Sequence, residues 1–241
     1  MPPIPINYSQ FKGKTLILPI VSVGNVPQLA CDLLIASLGL GRLEILSPEW
    51  VISCAGGRQD GVRGVTTPLE VFGKEGVDLV VLQQRSPAFT MYKDQFTQQI
   101  TAFVREGEFE NVLLLSGADV IGRDDRHMLS PIFHYPATSA QTPFHTRLTL
   151  TTPAFLSSPL PALPPIPGSG LLRRMLALLP AQGPSIGVLL QFAMEGDNRG
   201  DAHFLAECAA KVGDVRVAKW EEPPSWRVGL FGTPQEQTLY G

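Results

Sequence analysis

Residues 15–46, TLILPIVSVGNVPQLACDLLIASLGLGRLEIL, decide how the rest of the chain is read. Thr15 to Ile20 is an apolar run of strand length, and Ser22-Val23-Gly24-Asn25 is a polar turn. Apolar residues then recur at Val26, Leu29, Ala30, Leu33, Leu34 and Leu38, the spacing of one face of an α-helix. Asn25 offers an acceptor to the unpaired N–H groups of the first turn, and Pro27 sits where a missing donor costs nothing. Gly39 and Gly41 stop the helix and Leu43 to Leu46 is β-prone, so the stretch predicts a βαβ unit.

A βαβ unit invites a nucleotide. The dinucleotide fingerprint needs three glycines between strand and helix, so that pyrophosphate approaches bare backbone. Only Gly24 occupies that turn here, Gly39 and Gly41 lie at the wrong end of the helix, and GxxxxGK[ST] is absent from the chain. The turn is therefore read as structural.

Outward from this unit, Val51 to Cys54 reads as a short strand and Gly56 to Gly64 as an exposed hairpin or loop. Pro68 to Phe72 alternates like an antiparallel or edge strand, and Val77 to Gln83 is apolar enough for a strand covered on both faces. A helix is expected from about Tyr92 to Arg105, with Tyr92, Phe96, Ile100, Phe103 and Val104 on one face, followed by a strand from Asn111 to Ser116. Gly117 to Met128 is polar and reads as a loop at a strand's C-terminal end, where open α/β sheets bind ligands. Ile132 to Leu150 carries weak strand signals, such as Thr146 to Leu150. Six prolines crowd residues 153–170 and exclude a regular element there. Leu171 to Leu179 reads as a helix, Ser185 to Ala193 as a third apolar strand, and Glu195 to Asn198 as its turn. Asp201 would then cap a helix with Leu205, Ala206, Ala209 and Val212 inside. The expectation is one layered α/β/α domain over residues 1–232, with a mixed, mostly parallel sheet, and an extended tail over 233–241.

Composition narrows function. In 241 residues, 44% are hydrophobic and 17% charged, which suits a single full core. A net charge of −3 leaves no basic footprint for nucleic acid. No run approaches the roughly 18 apolar residues of a membrane span, and the N-terminal stretch lacks the apolar segment of a signal peptide. Cys31, Cys54 and Cys208 lie far apart in apolar context and read as buried thiols, which places the protein in the cytoplasm and nucleus.

The chemistry-bearing residues do not compose a site. Ser116 follows a strand, but in LLSGAD rather than GxSxG. His127, His134 and His145 read as loop residues and His203 as helical, and no pair is spaced i,i+4 for a metal. Asp119, Asp124 and Asp125 are dense enough to hold a cation, yet Arg123 and Arg126 interleave with them and favour a self-neutralising loop. Neither cofactor nor metal is expected. The enzymatic alternative, a phosphorylase- or hydrolase-like protein, would have to use the loops around Ser116 to Asp125.

Three stretches carry a resemblance. Pro19 to Ala30 (PIVSVGNVPQLA), Val188 to Asn198 (VLLQFAMEGDN), and Pro223 to Arg227 (PPSWR) with Leu230-Phe231-Gly232 are similar, in that order, to the proteasome assembly chaperone family. The resemblance implies one α/β domain, phosphorylase-like in outline but without catalytic residues. It also implies a heterodimer with proteasome assembly chaperone 1 that holds the α subunits of the 20S proteasome during assembly. In that light Leu239-Tyr240-Gly241 fits the hydrophobic–tyrosine–any docking pattern. The terminal carboxylate would pair with a lysine between α subunits, the tyrosine would present an amphipathic ring, and Leu239 would line the pocket wall.

Overall fold

The computed structural model describes residues 6–58, 60–138, 141–155, 163–180 and 182–228. The chain runs β1 (Thr15–Pro19), α1 (Val26–Leu38), β2 (Gly41–Ile45), the short pair β3 (Gly56–Gly57) and β4 (Val65–Thr66), β5 (Leu69–Gly73) and β6 (Leu79–Gln84). It continues through α2 (Lys93–Glu106), β7 (Asn111–Asp119), β8 (Ile132–Pro136), α3 (Pro143–Thr151), α4 (Leu172–Leu178), β9 (Ser185–Ala193) and α5 (Arg199–Val212). Seven strands form one sheet in the order β2-β5-β6-β1-β7-β9-β8, and β3 pairs with β4 as a separate hairpin. β6, β1, β7 and β9 are mutually parallel, while β2, β5 and β8 join antiparallel at the two margins.

Strand periodicity produces the layers. Successive side chains leave opposite faces of a strand, so Ile17, Val81, Leu113, Leu115 and Leu189 enter one core. Their neighbours Leu16, Leu18, Val80, Val112, Leu114 and Val188 enter the other. The first core is covered by α1, α3 and α5, through Leu33, Leu34, Phe144, Leu148, Leu205 and Ala209. The second is covered by α2 and α4, through Phe96, Ile100, Phe103, Leu172 and Met175. The result is the α/β/α sandwich that the sequence predicts. Leu33 and Leu34 are fully buried, which stabilises the helix by about 1.5–3 kcal/mol for each side chain removed from water.

Several local expectations change. β1 and β2 point the same way but lie three places apart in the sheet, with β5 and β6 between them, so they are not the neighbouring strands of a simple βαβ unit. Val51 makes only an isolated bridge to Ala88, and residues 52–54 form no strand. Residues 146–150 are helical, inside α3, because Thr142 caps that helix from its side chain and Pro143 opens it. Asn25 precedes α1 in the left-handed region without a side-chain cap bond. Asp201 sits inside α5, whose first residue follows Asn198, and its carboxylate accepts from Gln191 Nε2 at 3.2 Å. β5 is buried along its whole length because β2 covers it, so it is not an edge. Among the described residues of 153–170 no helix or strand forms, as the prolines require.

The histidines also move. His134 lies in β8 and His145 in α3, both buried, where loop positions were expected. His134 Nδ1 is 2.7 Å from the Thr152 carbonyl and donates to it when the ring is neutral. Desolvation by burial lowers both pKa values below the ordinary 6.5. Above that pH both rings are neutral in the folded and unfolded chain alike. Below it the unfolded chain takes up protons first, so stability falls as pH drops from 6.5 towards the folded values. Urea midpoints measured from pH 8 to pH 5 should therefore decline below 6.5. The slope should flatten in a His134→Gln, His145→Gln variant, and an unchanged slope would assign the acid sensitivity elsewhere.

Candidate docking surface

An open α/β sheet holds a ligand beyond the C-terminal ends of its parallel strands; here this chain's own turns fill that place over β1, β7 and β9, and a cavity of about 200 Å³ remains between the ends of β1 and β6. Ser22 Oγ accepts from Gly117 N at 2.8 Å and donates to Ile20 O. Gly24 N donates to Glu195 Oε1 at 3.2 Å. Asn198 is buried, and its Nδ2 donates to the carbonyls of Gly24, Met194 and Gly196 at 3.1, 2.9 and 3.2 Å. Val23 N and Asp119 N donate to the carbonyls of Gly168 and Pro167, both at 2.9 Å. These bonds join the ends of β1, β7 and β9 to one another and to the last residues of the proline-rich stretch. Gly24 is required: its φ is +65°, and a Cβ there would sit 2.6 Å from Asn198 Nδ2 and 2.9 Å from Met194 O.

The residues of the enzymatic alternative are consumed by structure. Ser116 is fully buried, and its hydroxyl donates to the Gly117 and Ser169 carbonyls. β7 runs on to Asp119, whose carboxylate caps Ile121 N at 2.9 Å. Asp124 caps Arg126 N at 3.0 Å, and the Arg126 guanidinium beside it holds its carboxyl below the usual range. Arg123 does not neutralise an aspartate; it donates to the carbonyls of His127 and Ser130 and stacks over the Phe192 ring. His127 is buried, stacked on Phe155 at 4.8 Å, with Nδ1 2.9 Å from Asp124 Oδ1. Glu195, read as a plain turn residue, is a backbone clamp on Gly24. Among the described residues no group of three His, Cys, Asp or Glu side chains could hold a metal ion.

What these rigid turns present outward is apolar. Ile121 is 87% exposed and Leu129 92%, with Met128 and Met194 also largely open to solvent. Register brings them to one end of the sheet. β7 pairs Asp119 with Ala193, so Met194 emerges beside the turn that carries Ile121. β8 pairs Ile132 with Gln191, and Phe192 N donates to Pro131 O at 2.8 Å, so the turn that carries Leu129 enters β8 at the end of the sheet where Met194 leaves β9. Two aspartate caps and a half-buried arginine hold these turns with large apolar side chains in water, which makes them a candidate contact surface. No periodicity signals it, since the residues come from two tight turns and a strand end.

The thiols are inert where they are buried. Burial pushes Cys31 well above its ordinary pKa and Cys208 up to about 11. Cys54, expected inside, is exposed. The tail residues Leu239, Tyr240 and Gly241, and Leu230 to Gly232 before them, lie outside the described residues.

Fold and site together define a class: a layered α/β protein whose strand-end crevice is closed by its own backbone and whose outer turns are apolar. The PAC2 family pattern matches residues 16–190, and the chain belongs to that family. It is 32% identical to Proteasome assembly chaperone 2 of Danio rerio, over 92% of this chain and 93% of that one. It is 29% identical to Proteasome assembly chaperone 2 of Homo sapiens, over 95% of each chain. Among solved structures it is similar in fold to Pyrococcus furiosus PbaA, described as an archaeal homolog of proteasome-assembly chaperone. That match has a TM-score of 0.64 and 14% identity, and covers 86% of this chain and 84% of that one. It is also similar to P. furiosus PbaB, described as an archaeal proteasome activator, with a TM-score of 0.59 and 15% identity over 86% of each chain.

The interlocked turns make a direct prediction. Asn198→Ala leaves buried carbonyls without a donor and should lower the unfolding free energy by about 2–3 kcal/mol. Urea denaturation followed by far-UV circular dichroism measures it. A loss below about 0.5 kcal/mol, the range of ordinary surface substitutions, would mean that Asn198 does not join the two turns.

Proposed function

We propose that this chain is a non-catalytic chaperone of 20S proteasome assembly. The observation that carries the proposal is the family match along most of the chain, in a fold whose strand-end crevice is occupied by its own turns. The relatives that share its length are named as chaperones of that assembly. Ser116, expected at a strand end, lies inside β7 and donates its proton into the fold.

In this reading the chain pairs with proteasome assembly chaperone 1, and the pair holds the α subunits as the ring forms, in the cytoplasm and nucleus. The partner subunit covers the face formed by Ile121, Met128, Leu129 and Met194, whose exposure in the single chain is otherwise unfavourable. Leu239-Tyr240-Gly241 docks between α subunits, with its carboxylate on a lysine. One short tail binds weakly, so affinity comes from linking it to the partner's contacts in one assembly.

Two experiments test the two contacts separately. Deleting Leu239 to Gly241, or Tyr240→Ala, should reduce co-purification of α subunits about tenfold or more while leaving heterodimer formation intact. Equal α-subunit binding by the truncated pair would rule out the tail. Leu129→Asp with Ile121→Ser should leave the melting temperature of the single chain unchanged or raised, because both side chains are exposed. The same pair of substitutions should abolish the heterodimer in size-exclusion chromatography with light scattering. A normal heterodimer from that variant would move the interface elsewhere.

A further inference from the structure

A second feature lies at the opposite margin of the sheet, away from the apolar turns. A cavity of about 570 Å³ opens between the C-terminal half of α1, the β2–β5 edge and residues 221–224. Its walls include Ile35, Leu40, Phe72 and Pro223, and its charged lining residues are five carboxylates against three guanidiniums.

The charges are arranged in matched pairs with a remainder. Arg42 Nη1 donates to Glu70 Oε1 at 2.6 Å, and Thr67 N reaches the same oxygen at 3.1 Å. Arg85 Nη1 donates to Asp32 Oδ1 at 3.3 Å, and Gln83 Nε2 donates to that oxygen at 2.7 Å. Arg58 is taken up by Asp60. Every guanidinium of the lining is thus engaged by a carboxylate. Glu221 and Glu222 remain at the rim, where their carboxylates lie 3.6 Å from Lys219 Nζ and 3.5 Å from His203 Nε2.

The deeper carboxylates are also under-compensated. Glu70 is fully buried, and its Oε2 has no hydrogen bond; its nearest cation is Arg85 Nε at 3.6 Å. Both bonds to Asp32 fall on Oδ1. Burial pushes the Asp32 carboxyl above its ordinary pKa, against the pull of Arg85 and Gln83. An anion entering this cavity would meet more carboxylates than free guanidiniums. An uncharged apolar group would desolvate Asp32 further and return nothing. A cation supplies the missing charge, and the apolar walls fit the methylene stem that leads to it.

We propose that this cavity receives the guanidinium or ammonium group of an arginine or lysine side chain presented by a protein partner. The cation chemistry stands on the cavity alone, whereas the choice of a protein as its carrier rests on the assembly-chaperone reading. The rim is built to guide such a side chain. Glu221 N donates to Ser37 Oγ at 2.8 Å, which ties residue 221 to α1 and fixes the mouth of the cavity.

N-acetyl-arginine amide, titrated into the full chain and followed by ¹⁵N–¹H correlation NMR, tests the cavity directly. Saturable shifts should centre on the amides of Gly39, Gly41, Glu70 and Arg85, and the neutral isostere N-acetyl-citrulline amide should leave them in place. Asp32→Asn keeps an acceptor for Gln83 and Arg85 and should weaken binding about tenfold. Glu221→Gln with Glu222→Gln, on the exposed rim where folding is not at stake, should weaken it and reduce its salt dependence. Equal shifts with citrulline, no shifts with arginine, or unchanged affinity in the rim variant would overturn the cation site. To test the carrier, the chain with all three substitutions is mixed with α subunits and the partner chaperone. Undiminished co-purification by that chain would overturn the protein-borne cation even where arginine amide binds the wild type, and it leaves the tail and the apolar face to be judged by their own variants.

Discussion

Asn198 Nδ2 donating into the Gly24 carbonyl, with Gly24 N donating back to Glu195, is the contact on which the rest of this molecule depends. It joins residues 174 positions apart and ties the turn after β1 to the turn after β9. β7 lies between those two strands and is bound into the same network through Ser22 and Gly117. The Asn198–Gly24 bond is buried and its companions are partly buried, and together they specify one arrangement of the strand ends. A glycine with positive φ is what lets the two backbones come this close.

The same closure explains why the polar residues described at these strand ends serve the fold. In related architectures the strand ends leave a crevice for substrate; here Ser22, Ser116, Asn198 and the 167–169 segment occupy it. Polar groups that might have done chemistry hold backbone instead. Rigidity at the strand ends then allows the neighbouring turns to present Ile121, Leu129 and Met194 in fixed positions. Such a surface loses little further conformational entropy when a partner covers it, because its backbone is already ordered.

The opposite margin works differently. Around Glu70 and Asp32 the charges are paired but incompletely compensated, and the low-dielectric cost of each carboxylate is offset only in part by Arg42 and Arg85. One end of the sheet is thus apolar, with its polar groups engaged by backbone, while the other margin keeps a surplus of negative charge. A protein with two such surfaces is equipped for contacts of different character on its two sides.

The layered fold was legible in the residues themselves. Apolar runs at 15–20, 77–83, 111–116 and 185–193 mark buried strands by length and β-branching. The 3.6-residue spacing around Leu33 and Leu34, and around Ile100, marks helices with one buried face. The stopping of α1 at a left-handed Gly39 is equally local. These features survive because each is set by near neighbours in the chain. The helix over 146–150, which Thr142 and Pro143 start, and the opening of α5 after Asn198 are also local, though the strand and capping signals nearby pointed elsewhere. Tertiary structure alone decided that β5 and β6 separate β2 from β1. It also decided the roles of Glu195 and Asn198, the apolar face assembled from residues 121, 129 and 194, and the cavity that brings Asp32 to Glu70. Each of these joins residues distant in sequence, and strand order and register carry no signature in the local pattern from which periodicity is read.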